Sequence, residues 1–373
     1  MPKLDIPLQL SPVFKPKIWG QRNLEPFFAR PVGKPADPPS RLGHLETPID
    51  ANDPIGEVWI TDEGSRFLNG PGAGLTLKEA SRKYGIELHG GAWQDSRFPL
   101  LAKYIYTRDW LSVQVHPDDD YARVHDPGHL GKCEMWYFLS RDDSGEVLLA
   151  LKAGVTKESL AEAFENGTSR NLIQPFHPAP EEAVFVPPGT VHALGPGLVL
   201  FEVEENSDLT YRLDDFGRVG LDGKPRPLHW QKGLDVTRLE LPQYRNLPRL
   251  EFQEPYGARR WVLACRYFAL EELMLTKIAS FAGSLERVET LSLLSGEGRV
   301  ETEAGWMAYR TGDTWVIPPG VRNYRLAPEQ CTRLLKFYVP DLDRDFRDPL
   351  AARGVSSGQI DGIVFNSPAR GHP

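Results

Sequence analysis

Phe185-Val186-Pro187-Pro188-Gly189-Thr190-Val191-His192 decides how the chain is folded, because it is written twice. Its echo is Trp315-Val316-Ile317-Pro318-Pro319-Gly320-Val321-Arg322. Each copy reads as an apolar strand, a Pro-Pro-Gly corner that cannot continue a hydrogen-bonded ladder, and then a new strand. The two halves are therefore expected to share one fold. The second copy has Arg322 near where the first has His192, and it lacks a counterpart of the pair Gln114-x-His116. The second half is accordingly expected to be structural.

Outward from this repeat, short apolar runs recur between turn residues. The 33 prolines and 34 glycines are spread along the chain, as expected of many short strands joined by tight turns. Runs at 55–61, 98–106, 111–116, 134–139, 147–151, 183–186, 198–203 and 210–213 read as strands of a first sandwich or barrel. Runs at 260–270, 289–294, 298–302, 315–317 and 334–339 form a second set. Asp142-Asp143-Ser144-Gly145 reads as a hairpin turn between two of these strands. Thr76-Leu77-Lys78-Glu79 has the spacing of a capping box, with the helix ending near Tyr84 before Gly85. A second amphipathic helix spans 156–165, with Leu160, Ala163 and Phe164 on one face. The turn-rich stretch 242–248 divides a catalytic unit, 1–241, from a second unit, 249–340, followed by a tail, 341–373.

Composition limits the function classes. With 373 residues, 25% charged and 40% hydrophobic, this is an ordinary globular chain, long enough for two domains. The net charge of −8 and the lack of a long basic block argue against a nucleic-acid partner. No run approaches the roughly 18 apolar residues of a membrane span. Cys133, Cys265 and Cys331 have no CxxC spacing, and a scattered odd set fits reduced thiols in a cytoplasmic protein.

Chemistry concentrates in three fragments. In Leu111-Ser112-Val113-Gln114-Val115-His116, alternation puts Gln114 and His116 on one strand face. Glu134 lies on the next strand, with Cys133 pointing the other way. His192 follows the Pro-Pro-Gly corner. Two imidazoles, a carboxylate and an amide oxygen without a thiolate suit Zn²⁺ first, with Fe²⁺, Mn²⁺ or Co²⁺ as substitutes. His125, His129, His177 and His229 sit in turn-like contexts and are left out. Glu57 reads as an exposed strand carboxylate. Glu202 faces away from Phe201 and Val203, and Arg212 follows nearby. Either the two supply the acid–base and cationic groups for proton transfer beside a carbonyl, or they pair on a sheet surface.

At these residues the sequence resembles a known family. LSVQVHPDDDYA (111–122), GKCEMWYFL (131–139), VFVPPGTVHALGPG (184–197) and ENSDLTYRLDDFGR (205–218) look like type I phosphomannose isomerase, in its short bacterial form. FKPKIWG (14–20), IGEVWITD (55–62) and LHWQKGLDV (228–236) are similar to it too, so the match runs through roughly residues 12–240. The resemblance implies a mainly β, tandem cupin fold of two jelly-roll barrels with a few short helices. It implies a zinc-dependent aldose–ketose isomerase acting on a small sugar phosphate, interconverting mannose 6-phosphate and fructose 6-phosphate through a cis-enediol. The metal ligands then fall on Gln114, His116, Glu134 and His192. Arg212, Glu202 and Lys132 become catalytic, with Glu202 as base. Ser112, Lys132 and Arg212 become substrate-binding. The sequence departs from the family at Cys133, where Ser or Thr is usual. It departs again at Glu204-Glu205, which replaces a glutamine-rich pair and adds negative charge.

Two other readings compete. His116-x-Asp118 with the distant His192 has the spacing of the facial triad of a non-haem iron oxygenase. A non-catalytic sugar-binding cupin would keep the metal and dispense with the acid–base group.

Overall fold

The computed structural model describes residues 3–29, 44–45, 53–91, 93 and 95–366. Two double-sheet barrels account for most of it. In the first, the strands Ala183–Val186, Glu134–Arg141, Leu198–Glu205 and Leu100–Tyr106 lie side by side and are extended by Ile55–Trp59 and Val13–Gln21. The facing sheet runs Val113–Val115, His192–Leu194, Val147–Leu151 and Ile173–Phe176, with Tyr211–Asp214 on its edge. The second barrel repeats this order. Thr314–Ile317, Glu289–Ser295, Thr332–Tyr338 and Ala269–Leu275 face a sheet of Ala279–Ala282, Asn323–Pro328, Glu297–Thr302 and Gly305–Arg310. Eight strands in the same two-sheet order on both sides make each barrel a jelly roll, so the shared fold expected from the repeat and the tandem cupin implied by the resemblance are both present.

Several local expectations need correction. Asp142-Asp143-Ser144-Gly145 is not a hairpin, because Glu134–Arg141 and Val147–Leu151 lie in different sheets. The Asp142 side chain accepts from the Ser144 amide at 2.8 Å, and the turn carries the chain from one sheet to the other. Strand register puts Asn323, not Arg322, opposite Ala282 where His192 stands opposite Gln114. Leu8–Leu10 pairs with Thr314–Ile317 of the second barrel, although residues 1–241 were expected to form one unit. The tail packs there as well. Val364–Phe365 pairs with the strand Gly257–Cys265, and Phe346, Leu350 and Ile360 bury against Trp261. Short strands of this kind cover edges that would otherwise leave amide and carbonyl groups unpaired.

The helices follow their capping signals. The Thr76 side chain accepts from the Glu79 amide at 3.1 Å and the Glu79 carboxylate from the Thr76 amide at 2.8 Å, starting the helix Leu77–Tyr84. Leu160, Ala163 and Phe164 are the buried face of Lys157–Glu165.

Each central strand of the first large sheet is buried on both faces. On Leu198–Glu205, Phe201 and Val203 face the second barrel and share a core with Tyr104, Met135, Leu270, Leu335 and Phe337. The Phe201 and Phe337 rings lie 5.5 Å apart, and Tyr104 and Ser292 share a hydroxyl hydrogen bond of 2.7 Å across the two barrels. The alternate residues, Glu202 and Glu204, turn into the first barrel. Alternation thus gives one strand an apolar face for assembly and a charged face for chemistry.

His89 provides a test of this packing. It is buried beside the Ser81 hydroxyl, 3.0 Å from its Nε2, and its carbonyl accepts from the Val288 amide of the second half at 2.9 Å. Burial, only partly opposed by Asp95, lowers its pKa from 6.5 to about 4. Only the unfolded chain takes up this proton between those values, so His89 withdraws stability as pH falls through that window. The slope is at most about 1.4 kcal/mol per pH unit. Urea midpoints at neutral pH and near pH 5 should converge less steeply for His89→Asn than for the parent chain. Equal slopes would remove His89 as the titrating group.

Candidate active site

The site forms where the two sheets of the first barrel open. Strand pairing sets Gln114 opposite both His192 and Arg212. On the other sheet Glu134 lies opposite Glu204. The Pro-Pro-Gly corner is tied in place by Gly189, which has φ +87° and donates its amide to the His116 carbonyl at 2.9 Å.

Two imidazoles meet one carboxylate. His116 Nε2 lies 3.5 Å from Glu134 Oε2, and His192 Nε2 lies 3.2 Å from Glu134 Oε1. Each ring is oriented from behind: His116 Nδ1–H donates to the Leu209 carbonyl and His192 Nδ1–H to the Thr190 carbonyl, both at 2.9 Å. A carbonyl only accepts, so the proton sits on Nδ1 and the Nε2 lone pairs point forward, the arrangement that a metal ligand requires. The Gln114 amide donates to His192 Nε2 at 3.1 Å. A half-turn of its terminal torsion would present the amide oxygen at the same point.

These donors fit a cation. His116 Nε2 and both Glu134 oxygens are buried and accept no hydrogen bond. Burial, with Lys132 adding to it, holds the His116 pKa well below its ordinary value, and burial lowers His192 to about 4, so both rings are neutral. Burial also raises the Glu134 carboxyl, despite Lys132. A buried carboxyl next to two forward lone pairs is an environment that a divalent ion would stabilise.

Behind this trio lies an ionic cluster. Lys132 Nζ stands 3.2 Å from Glu134, 3.8 Å from Glu202 and 2.8 Å from Glu204. Lys103 Nζ stands 3.4 Å from Glu202 and 3.1 Å from Glu204. Burial works against charge on Glu202, yet Lys103 and then Lys132 hold its carboxyl far below the usual range. Burial, less well compensated, pushes Glu204 up to about 8. A cavity of about 210 Å³ opens over the group, and Ser112, Gln114, Lys132, Glu134, Glu202 and Arg212 all line it.

A model of the type I phosphomannose isomerase catalytic domain matches residues 8–153. Mannose-6-phosphate isomerase ManA of Bacillus subtilis is 31% identical over 326 residues, which is 86% of this chain and 95% of that protein. A mannose-6-phosphate isomerase of Streptococcus mutans is 31% identical over 329 residues, 86% of this chain and 94% of that one. The chain belongs to the type I phosphomannose isomerase family. A solved mannose 6-phosphate isomerase from Bacillus subtilis has the same fold, with a TM-score of 0.77 at 27% identity over 88% of this chain and 99% of that one.

Seen as a phosphomannose isomerase, the chain disposes of its competing features. Asp118, the carboxylate that an oxygenase triad would need, instead caps the helix Asp119–His125, accepting from the Tyr121 amide at 3.0 Å. Glu202 does not pair with Arg212 on a sheet surface; it is buried and pairs with Lys103. Cys133 points away from Glu134 into the core shared by the barrels. The extra charge expected from Glu204-Glu205 is muted, because burial raises both carboxyls, and Glu205 accepts from the Cys133 amide at 2.9 Å.

Glu57 was misread as exposed. It is buried, accepts from Trp59 Nε1 at 2.8 Å, pairs with Lys17 at 3.2 Å and lines the cavity. Burial opposes its charge, but Lys17 and Lys103 lower its pKa. Lys17, Lys103, Asp208 and Arg226 also line the cavity and were not singled out from sequence. Lys103 did carry a signal, since a lone ammonium in the apolar run Leu100–Tyr106 requires a buried partner.

If the trio holds a metal, Glu134→Ala and His192→Ala should fold, with the parent's circular dichroism, but purify without its stoichiometric metal, read by plasma emission. Undiminished metal in both variants would remove these residues as ligands.

Proposed function

We propose that the chain is a metal-dependent aldose–ketose isomerase that interconverts D-mannose 6-phosphate and D-fructose 6-phosphate through a cis-enediol. The observation carrying this reading is the placement of two forward imidazole lone pairs against Glu134, whose carboxylate lines a cavity that also presents an ionised carboxylate and cations. The names of the relatives point the same way. Gln114, His116, Glu134 and His192 would hold Zn²⁺, which a set of nitrogen and oxygen donors without thiolate suits, with Fe²⁺, Mn²⁺ or Co²⁺ as substitutes. When bound, the ion supplies Lewis acidity toward the sugar's carbonyl and hydroxyl oxygens.

The chain's own groups move the proton. Glu202, kept ionised by Lys103 and Lys132, takes the proton from C2 of the open-chain aldose and returns it to C1, while the O2 hydroxyl proton passes to O1, leaving the carbonyl at C2. A carboxylate stabilised this strongly is a weak base, so its neighbours must release it as the reaction proceeds. Lys132 is suited to this, because turning toward the substrate oxygen would both stabilise the enediolate and relax its hold on Glu202. Arg212 is poised for the same oxyanion or for the substrate's far end, and the Ser112 hydroxyl stands beside Gln114, 3.4 Å from its oxygen. The three free cysteines suit a cytoplasmic enzyme. Among the described residues no helix is long and apolar enough to cross a membrane.

A coupled assay with and without chelator tests the reading. Turnover of mannose 6-phosphate should vanish with chelator and return with Zn²⁺. Glu202→Gln should lower kcat by roughly 10²–10⁴-fold with a much smaller change in KM. A metal-loaded chain that binds the sugar phosphate without converting it would leave a sugar-binding cupin as the answer.

A further inference from the structure

The cations around the cavity are not equally neutralised. Lys103 and Lys132 are matched by Glu202 and Glu204, and Lys17 by Glu57. The guanidiniums near Tyr211–Asp214 differ: Arg212, Arg218 and Arg226 gather around one buried carboxylate, Asp215. Arg218 donates to Asp215 Oδ1 at 2.8 Å, to the Asp215 carbonyl at 3.1 Å, and to the Trp110 carbonyl at 2.5 Å. It is used up in holding the loop. Arg226 donates its Nε to Asp215 Oδ2 at 2.7 Å and one terminal nitrogen to Oδ1. Its other terminal nitrogen, Nη1, makes no hydrogen bond among the described residues, and the side chain lines the cavity.

Arg212 is left in a similar state. It donates Nη1 to the Pro227 carbonyl at 3.2 Å, while its Nε is buried with no partner. Burial, followed by the charge of Arg226, lowers its pKa, so the two guanidiniums are close enough to repel. Two under-neutralised guanidiniums lining one cavity make a site for a dianion with several acceptor oxygens. The loop that returns Arg226 to the cavity is built for this. Val219 bridges Pro225, and the Gly220 amide donates to the Lys224 carbonyl at 2.8 Å.

We propose that Arg226, oriented by Asp215 and acting beside Arg212, binds the phosphate of the substrate, and that Asp215 is a positioning residue. The proposal rests on the isomerase reading for its substrate, and on the local geometry alone for its anion. An open-chain hexose 6-phosphate carries its carbonyl and phosphate at opposite ends. With the imidazoles and Glu134 taking the carbonyl end, Arg226 would take the phosphate and so set the register of C1 and C2 against Glu202.

Arg226→Gln in the zinc-loaded enzyme should raise KM for mannose 6-phosphate by about 10- to 100-fold, with kcat within about threefold. Arg226→Lys should fall between. Asp215→Asn should raise KM in the same way without altering metal content. Calorimetric titration with inorganic phosphate needs no turnover and separates the two claims: binding to the parent should weaken in Arg226→Gln by a factor similar to the change in KM. If phosphate titrates both chains alike, or if Arg226→Gln lowers kcat while leaving KM and phosphate affinity unchanged, the proposal fails. If the calorimetric difference is present but no chain isomerises the sugar, the anion site stands and the isomerase reading falls.

Discussion

Glu134, Glu202, Glu204, Lys103 and Lys132 share one buried volume, and the rest of the structure is arranged to make that tolerable. Each ion removed from water costs several kcal/mol unless its neighbours compensate. Two ammoniums cannot fully neutralise three carboxylates, and the imbalance appears as a divided response. Glu202 keeps its charge, whereas Glu204 and Glu134 are pushed toward the protonated form. A cation between Glu134 and the two imidazoles would complete the balance. Metal affinity and acid–base poise would then not be separate properties of this site, since one electrostatic deficit would underlie both.

That deficit can be sustained only on a rigid support. The carboxylates stand on strands whose opposite faces form the apolar seam between the barrels, so Phe201 and Val203 fix the positions of Glu202 and Glu204. The second barrel thus contributes to the chemistry without touching the cavity. Its Phe337, Leu335 and Leu270 back the strands that carry the charges.

Much of this was legible in the sequence, for reasons that also show where legibility stops. The repeated Pro-Pro-Gly corner disclosed the tandem architecture because proline and glycine constrain the backbone wherever they stand. Gln114 and His116 could be read because a period of two is local. Glu57 could not, because both faces of its strand are buried and a carboxylate there looks the same whether it meets water or Lys17. Arg226 was invisible for another reason: its importance lies in what Asp215 leaves unpaired, which depends on a loop closing in three dimensions. The Asp142–Gly145 turn misled because hairpins and jelly-roll corners use the same residues, and only the partner strand distinguishes them.

Strand register shows how the same fold carries a different set of side chains in its second copy. Val186 and Ile317 precede the two Pro-Pro-Gly corners, and opposite them stand Glu134 and Glu289. The counterpart of Glu134 is thus also a carboxylate. Around it the charges are exchanged: Glu202 faces Lys103 in the first barrel, and Lys336 faces Glu271 in the second. Glu57, opposite Ile105, is replaced by Arg259, opposite Leu273. Lys336 Nζ lies 2.9 Å from Glu289, much as Lys132 Nζ lies 3.2 Å from Glu134. Ala282 and Asn323 occupy the register positions of Gln114 and His192, so a methyl and an amide stand there in place of an amide and an imidazole. An ammonium therefore stands beside the carboxylate in both barrels, and what sets the first apart is the pair of imidazoles against Glu134. Both barrels meet the same requirement, compensation of a buried carboxylate, and the first adds two imidazole lone pairs with which a divalent ion would share that carboxylate.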